Sequence, residues 1–314
     1  MKIKIVLITV MSVLLSACSS YTKIPKLNSM SELKYRVDVK YAKLSNNVTL
    51  AYSDEGQGKE TIIFVHGLGS YIPAWDKNIA ELSKNYRCIA VDLPGYGKSS
   101  KNPHSGLMSF YADVIIEFIN EMGFKQVNIA GHSMGGQISM LIALHKPEIV
   151  KSLILVDPAG FEAFHPGQRQ WFKDVMSMNL VKLTPLEAIE TNLATNFYNM
   201  PKDAQFMITD RAAMRTASDF DNYCYTVSVS VAGMVNEPVI DKLEQISQPT
   251  LIFFGENDNL IPNRYLNPGR TVDIAKFGAS KIKNSKLVMV PKCGHFMMFE
   301  KYETFNREVS EFLK

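Results

Sequence analysis

Residues 126–145 read Gln-Val-Asn-Ile-Ala-Gly-His-Ser-Met-Gly-Gly-Gln-Ile-Ser-Met-Leu-Ile-Ala-Leu-His. Residues 126–130 form a short apolar strand pattern, and residues 137–145 a helical pattern closed by Pro147. Between them, Gly131-His132-Ser133-Met134-Gly135 is G-x-S-x-G, so Ser133 sits where a strand turns sharply into a helix. The flanking glycines suit a turn so tight that a neighbouring Cβ would clash. A serine held there projects its hydroxyl above the sheet, with a helix N-terminus just behind it.

A nucleophilic serine needs a base, and the base needs an orienting acid. The strand pattern Leu251-Ile252-Phe253-Phe254 runs into Gly255-Glu256-Asn257-Asp258. A second strand, Lys286-Leu287-Val288-Met289-Val290, runs into Pro291-Lys292-Cys293-Gly294-His295-Phe296. Asp258 and His295 therefore lie just past strand C-terminal ends, the edge on which open α/β sheets build their sites. Further strands are expected near 61–65, 87–92 and 152–157, and an antiparallel pair (35–44 and 48–53) around Asn46-Asn47. On a helix over 107–122, Leu107, Tyr111, Val114, Ile115, Phe118, Ile119 and Met122 share one face, and Gly123 suits its stop. This alternation predicts an α/β fold: a mostly parallel central sheet with helices on both faces.

The chain resembles an α/β-hydrolase of the serine esterase and lipase type over roughly residues 35–314. The order Ser133, Asp258, His295 is that family's nucleophile, acid, histidine order. Ile62 to Gly69 resembles its oxyanion loop, and Val91 to Ser99 its D-x-x-G-x-G-x-S loop. Gly255 to Pro262 resembles its acid loop, and Gly294-His295-Phe296 its histidine loop. The resemblance implies that Ser133 attacks an acyl carbon, His295 transfers protons and Asp258 orients His295. It also implies an oxyanion hole from the backbone N–H groups of Leu68 and Met134. No metal or organic cofactor is required.

Lys2 and Lys4 precede an apolar run, Ile5 to Leu15, that is short for a membrane span but suits a secretory signal. It ends in Leu15-Ser16-Ala17-Cys18, which resembles the bacterial lipoprotein processing box. That resemblance implies a signal peptide over 1–17, an acylated Cys18, a tether over 18–34, and a lipid-anchored enzyme exported to the cell envelope. Ser19 and Ser20 lack the aspartate that often retains lipoproteins at an inner membrane, and which membrane holds the chain stays open. The alternative is an ordinary signal peptide with an incidental cysteine. Lys2 and Lys4 also supply two of the three net positive charges, and no basic patch suggests nucleic acid. Cys88, Cys224 and Cys293 cannot all pair, so they are not a disulfide framework, although a Cys224–Cys293 bridge is open.

The stretch between 157 and 249 is far longer than a simple crossover needs. Its core, about 161–240, is where the family carries a helical cap. Six methionines and ten aromatic residues fall there. Most are expected to pack the cap, and the rest to line an apolar pocket over Ser133 suited to a flexible acyl group. His66 and Asp92 are expected to brace their loops, His132 to point away from the site, and Asp157 to be a less favoured position for the acid. The leading function is hydrolysis of carboxylic esters with apolar acyl groups. One alternative is carbon–carbon bond hydrolysis of the capped type, whose oxyanion loop often carries Gly-Pro-Gly where this chain has Leu68-Gly69-Ser70-Tyr71. Another is a hydrolase-like surface binding protein without turnover.

Overall fold

Ile62-Ile63-Phe64-Val65 is apolar at every position, as a strand covered on both faces requires. In the computed structural model, which describes residues 24–314, it lies inside an eight-stranded sheet. The strands are β1 (Lys40–Lys43), β2 (Thr49–Glu55), β3 (Thr61–Val65), β4 (Arg87–Asp92), β5 (Val127–His132), β6 (Val150–Val156), β7 (Thr250–Gly255) and β8 (Ser285–Val290). Their spatial order is β1-β2-β4-β3-β5-β6-β7-β8. β2 runs antiparallel to both neighbours, and β4, β3 and β5 to β8 are parallel. The sheet is mostly parallel with apolar cores on its two faces, as the sequence predicts. The β1–β2 hairpin turns through Asn46 and Asn47, with φ of 53° and 58°, a left-handed pair that asparagine tolerates.

Helices flanking this sheet include α1 (Asp76–Leu82), α2 (Met108–Glu121), α3 (Met134–His145) and, after β7, α9 (Thr271–Lys281). Tyr111, Val114, Ile115, Phe118 and Ile119 of α2 are buried as expected. Leu107 is not: it is the extended N-cap residue and is exposed, because the chain has not yet turned toward the sheet. Gly123, with φ of 72°, ends the helix.

Between β6 and β7 the chain forms five α-helices: α4 (Pro166–Val175), α5 (Met178–Leu183), α6 (Leu186–Ala194), α7 (Gln205–Met214) and α8 (Phe220–Asn236). The predicted signal peptide and Cys18 lie outside the described residues. Residues 24–33, read in the sequence as part of a tether, are packed. Met30 and Leu33 are fully buried in the core, and Ser29 caps the turn Met30–Glu32. Their apolar side chains at a three-residue spacing fill one side of that turn.

Asp92, at the end of β4, organises the loops above the sheet. Its fully buried carboxylate accepts the Ile72 N–H at 2.7 Å, the Lys98 N–H at 2.7 Å and the Tyr35 hydroxyl at 2.6 Å. It braces its loop, as expected. Asp92→Ala leaves the buried Ile72 amide and the half-buried Lys98 amide unpaired. Urea denaturation should show a loss of roughly 2–6 kcal/mol, at 1–3 kcal/mol per orphaned donor.

Candidate active site

Ser133 joins β5 to α3 at φ 52° and ψ −117°, a backbone conformation rare for any residue but glycine. The turn closes so tightly that a Cβ on Gly131 would lie 2.3 Å from the Gly135 carbonyl oxygen. A Cβ on Gly135 would lie 2.2 Å from that of Val65 in β3. Both glycines are thus required by close backbone approach. Four backbone bonds hold the turn: Ser133 N–H to Val156 O, and the Gly136, Gln137 and Ala159 N–H groups to Ser133 O.

The loops after β7 and β8 bring the other two predicted residues together. His295 Nδ1 lies 2.7 Å from Asp258 Oδ2, and both residues are buried. Asp258 Oδ1 accepts the Leu260 and Ile261 amides at 2.7 and 3.2 Å. Its carboxylate is therefore fixed on both oxygens, with one left facing the imidazole. Ser133 and His295 line the same cavity. Among the described residues no hydrogen bond joins the Ser133 hydroxyl to His295, a contact that often tightens only when substrate binds.

Leu68 lines the same cavity as Ser133, and Met134 follows Ser133 directly in the chain. Among the described residues neither amide has an acceptor: Leu68 lies in a loop, and Met134 is the first residue of α3. His66 has the bracing part expected of it. Its Nε2 accepts the Leu93 amide at 3.0 Å, so its proton is on Nδ1, donated to Gly67 O at 2.8 Å. Burial lowers its pKa to about 4, which keeps the ring neutral.

Two residues differ from the sequence reading. His132 does not point away from the site. Its ring lies 4.8 Å from that of His295, and its Nε2 donates to the His295 carbonyl at 2.9 Å. Burial, then the neighbouring His295, holds it well below the usual histidine range, so it supports the catalytic loop as a neutral donor. Asp157, after β6 at φ 41°, does not replace Asp258 but stands beside it. Asp157, Asp258 and His295 each place a ligand atom within 4.8 Å of the others. Asp157 Oδ1 accepts the Gly255 amide at 2.8 Å, and Oδ2 is buried and accepts no hydrogen bond among the described residues. Burial, then the Asp258 charge, pushes its pKa well above the usual carboxylate range. Two adjacent buried carboxylates cannot both ionise cheaply, which favours the protonated form of Asp157. Sequence reasoning also missed Glu300, whose carboxylate accepts the amides of Gly294, Tyr198 and Asn199. Nothing local in the sequence marks these pairings, because each joins distant loops.

Above Ser133 lies a cavity of about 280 Å³. Phe164, Phe172, Met176 and Met234, from the stretch between β6 and β7, line it together with Leu68 and Phe296. Among the described residues that line it there is no lysine or arginine, and Glu162 is the one carboxylate. A second cavity of about 600 Å³ adjoins it, sharing Leu68, Met176, Asn196, Leu260 and Phe296. Arg211 lines this second cavity and donates to the Gly69 carbonyl. Other methionines and aromatics of that stretch, such as Met214 and Phe161, are core. Cys88, Cys224 and Cys293 are all free and buried, so the Cys224–Cys293 bridge left open by the sequence is not formed.

Comparison with known proteins bears on the family and the fold. A 2-hydroxy-6-oxononadienedioate/2-hydroxy-6-oxononatrienedioate hydrolase of Pseudomonas putida is 28% identical over 275 residues, covering 85% of this chain and 92% of that protein. A probable hydrolytic enzyme from Pseudomonas aeruginosa superposes with a TM-score of 0.82 at 23% identity, covering 92% of this chain and 99% of that one. A membrane phospholipase A superposes at 0.73 and 23% identity, covering 100% and 98%. At such identities the structural likenesses show the fold. The family of the alpha/beta hydrolase fold matches residues 60–302, and with the sheet order and the Ser133 turn this places the chain in it: the protein belongs to the alpha/beta hydrolase fold family.

Proposed function

We propose that the protein is a serine hydrolase cleaving carboxylic esters with apolar acyl groups through an acyl-enzyme. The observation that carries the reading is a strained Ser133 sharing an apolar cavity with a His295 fixed by Asp258. His295 Nε2 takes the Ser133 proton as Oγ attacks the acyl carbon. The Nδ1 proton stays toward Asp258, which stabilises the imidazolium without taking the proton. The Leu68 and Met134 amides receive the developing oxyanion, each contributing roughly 3–4 kcal/mol to the transition state. His295 then protonates the leaving alcohol, and water repeats the sequence to release the acid. No step needs a cofactor. The same reading takes Cys18 as acylated and the enzyme as exported and anchored to a bacterial membrane.

Carbon–carbon bond hydrolysis is the second reading, favoured by the name of the Pseudomonas putida relative. The substrate in that name is a dioate, whose two carboxylates call for cationic partners. Among the described residues the cavity beside Ser133 offers none, and Arg211 lines the second cavity instead. This favours a neutral apolar acyl group over Ser133.

Initial rates on p-nitrophenyl esters, acetate to palmitate, beside a 2-hydroxy-6-oxo-dienoate separate the readings. The ester reading expects a kcat/KM that rises from acetate to medium-length acyl groups and exceeds that on the dienoate. The reverse ranking would establish the carbon–carbon reading. Ser133→Ala should lower kcat by about 10⁴–10⁶ and abolish labelling by a fluorophosphonate. Asp258→Asn should lower it by about 10⁴ while leaving the fold intact.

Asp157 gives a separate test. Asp157→Asn keeps a neutral donor beside Asp258 and should retain most activity, whereas Asp157→Leu should lower kcat more than it alters KM. A carboxyl raised by burial lends its full stability below the unfolded value of about 3.9, and loses it as pH rises through the folded value. Thermal melts at increasing pH should therefore show the wild type losing stability relative to Asp157→Asn. Parallel pH curves would show that Asp157 is ionised throughout.

A further inference from the structure

Residues 24–33 are fastened to one place on the fold, the turn between α7 and α8. The Leu27 amide donates to Thr216 Oγ1 at 2.8 Å, the Ser218 amide to Asn28 O at 2.9 Å, and the Met30 amide to Asp219 Oδ1 at 3.0 Å. Beside that turn stands α5. Lys182 pairs with Asp221 at 2.7 Å, and the Arg215 guanidinium donates to the Thr184 carbonyl. α5 presents Leu180 and Leu183 to solvent at 53% and 71% exposure, and Val175 at the end of α4 is also exposed. These three line the second cavity, which adjoins the cavity over Ser133. The point where the N-terminal segment leaves the fold and the apolar rim of the cavities are therefore neighbours.

We propose that this rim is a lipid-facing surface: the bilayer holding Cys18 covers Leu180, Leu183 and Val175, and substrate enters from that side. The inference rests on the reading of Cys18 as acylated. Chain length supplies the orientation. Leu27 lies nine positions after Cys18, a stretch that spans at most about 30 Å when fully extended. A domain of this size is roughly 50 Å across, so the anchor cannot reach round to set the opposite end of the sheet on the membrane. The exposed leucines need cover, and an anchored bilayer within that radius supplies an apolar one.

The test uses the full chain, processed in a bacterial host and reconstituted into vesicles of phosphatidylethanolamine and phosphatidylglycerol. A nitroxide is attached at Leu183→Cys or, as control, at Lys125→Cys, an exposed position preceding β5 at the far end of the sheet from Ser133. The native Cys88, Cys224 and Cys293 are buried and should not compete for label. Spin relaxation by lipid-soluble oxygen, against a water-soluble nickel chelate, should favour oxygen several-fold more at 183 than at 125. A glycine-serine spacer of about 20 residues between Ser20 and Ile24 should shrink that contrast, since such a linker behaves as a flexible coil. The mass of the N-terminal peptide, read on the same sample, separates the failures. An acylated Cys18 with positions 183 and 125 indistinguishable overturns the orientation alone. Spin–spin broadening between labels at 183 overturns it in favour of a second copy of the chain covering the rim. An unmodified Cys18 without vesicle association overturns the anchor and the orientation together.

Discussion

The backbone of Ser133 is the constraint on which the rest of the site depends. A non-glycine residue at φ 52° and ψ −117° costs on the order of 1–3 kcal/mol. It persists because the surrounding structure leaves no other path. β5 is locked between β3 and β6, α3 must start at Met134, and the Gly131 and Gly135 backbones have no room for side chains. The turn places Oγ above the sheet and leaves the Met134 amide without an intrahelical acceptor. On the proposed reading, one strained residue thus presents both the nucleophile and half of the oxyanion hole.

The remaining chemistry is assembled around that turn by loops that carry little sequence signal. Asp258 is fixed by two amides of its own loop, and His295 is held from three sides: Asp258 at Nδ1, the His132 donor on its carbonyl, and Glu300 on the amide of Gly294. Asp157 stands beside Asp258, with burial and the neighbouring carboxylate favouring its protonated form. On the proposed reading, a neutral partner there avoids a second buried charge beside the residue that orients His295. Rigid placement of these groups before substrate arrives is what electrostatic stabilisation of an oxyanion demands.

The sheet is legible in the sequence because its strands are short apolar runs and its turns carry Gly, Asn and Pro at positions that need them. Ser133, Asp258 and His295 are legible because each ends or follows such a strand. His132 is not, since sequence adjacency to the nucleophile gives no hint that its ring packs against His295. Asp157 reads in sequence as a rival to Asp258, and its position beside it depends on the β6–β7 register. Residues 24–33 look like a polar tether, and only tertiary contact shows Met30 and Leu33 to be core. The helices between β6 and β7 are expected as a group. Which of their methionines face a cavity depends on packing among α4 to α8 that periodicity does not encode.

The ester reading makes Ser133 a covalent participant, and trapping that intermediate tests it most directly. p-Nitrophenyl butyrate is mixed with the enzyme, the reaction is quenched in acid within the first turnovers, and the peptide mass is measured. The account predicts a butyryl group on the peptide bearing Ser133, absent from Ser133→Ala. Turnover with no acyl group on Ser133, or turnover undiminished in Ser133→Ala, would contradict it.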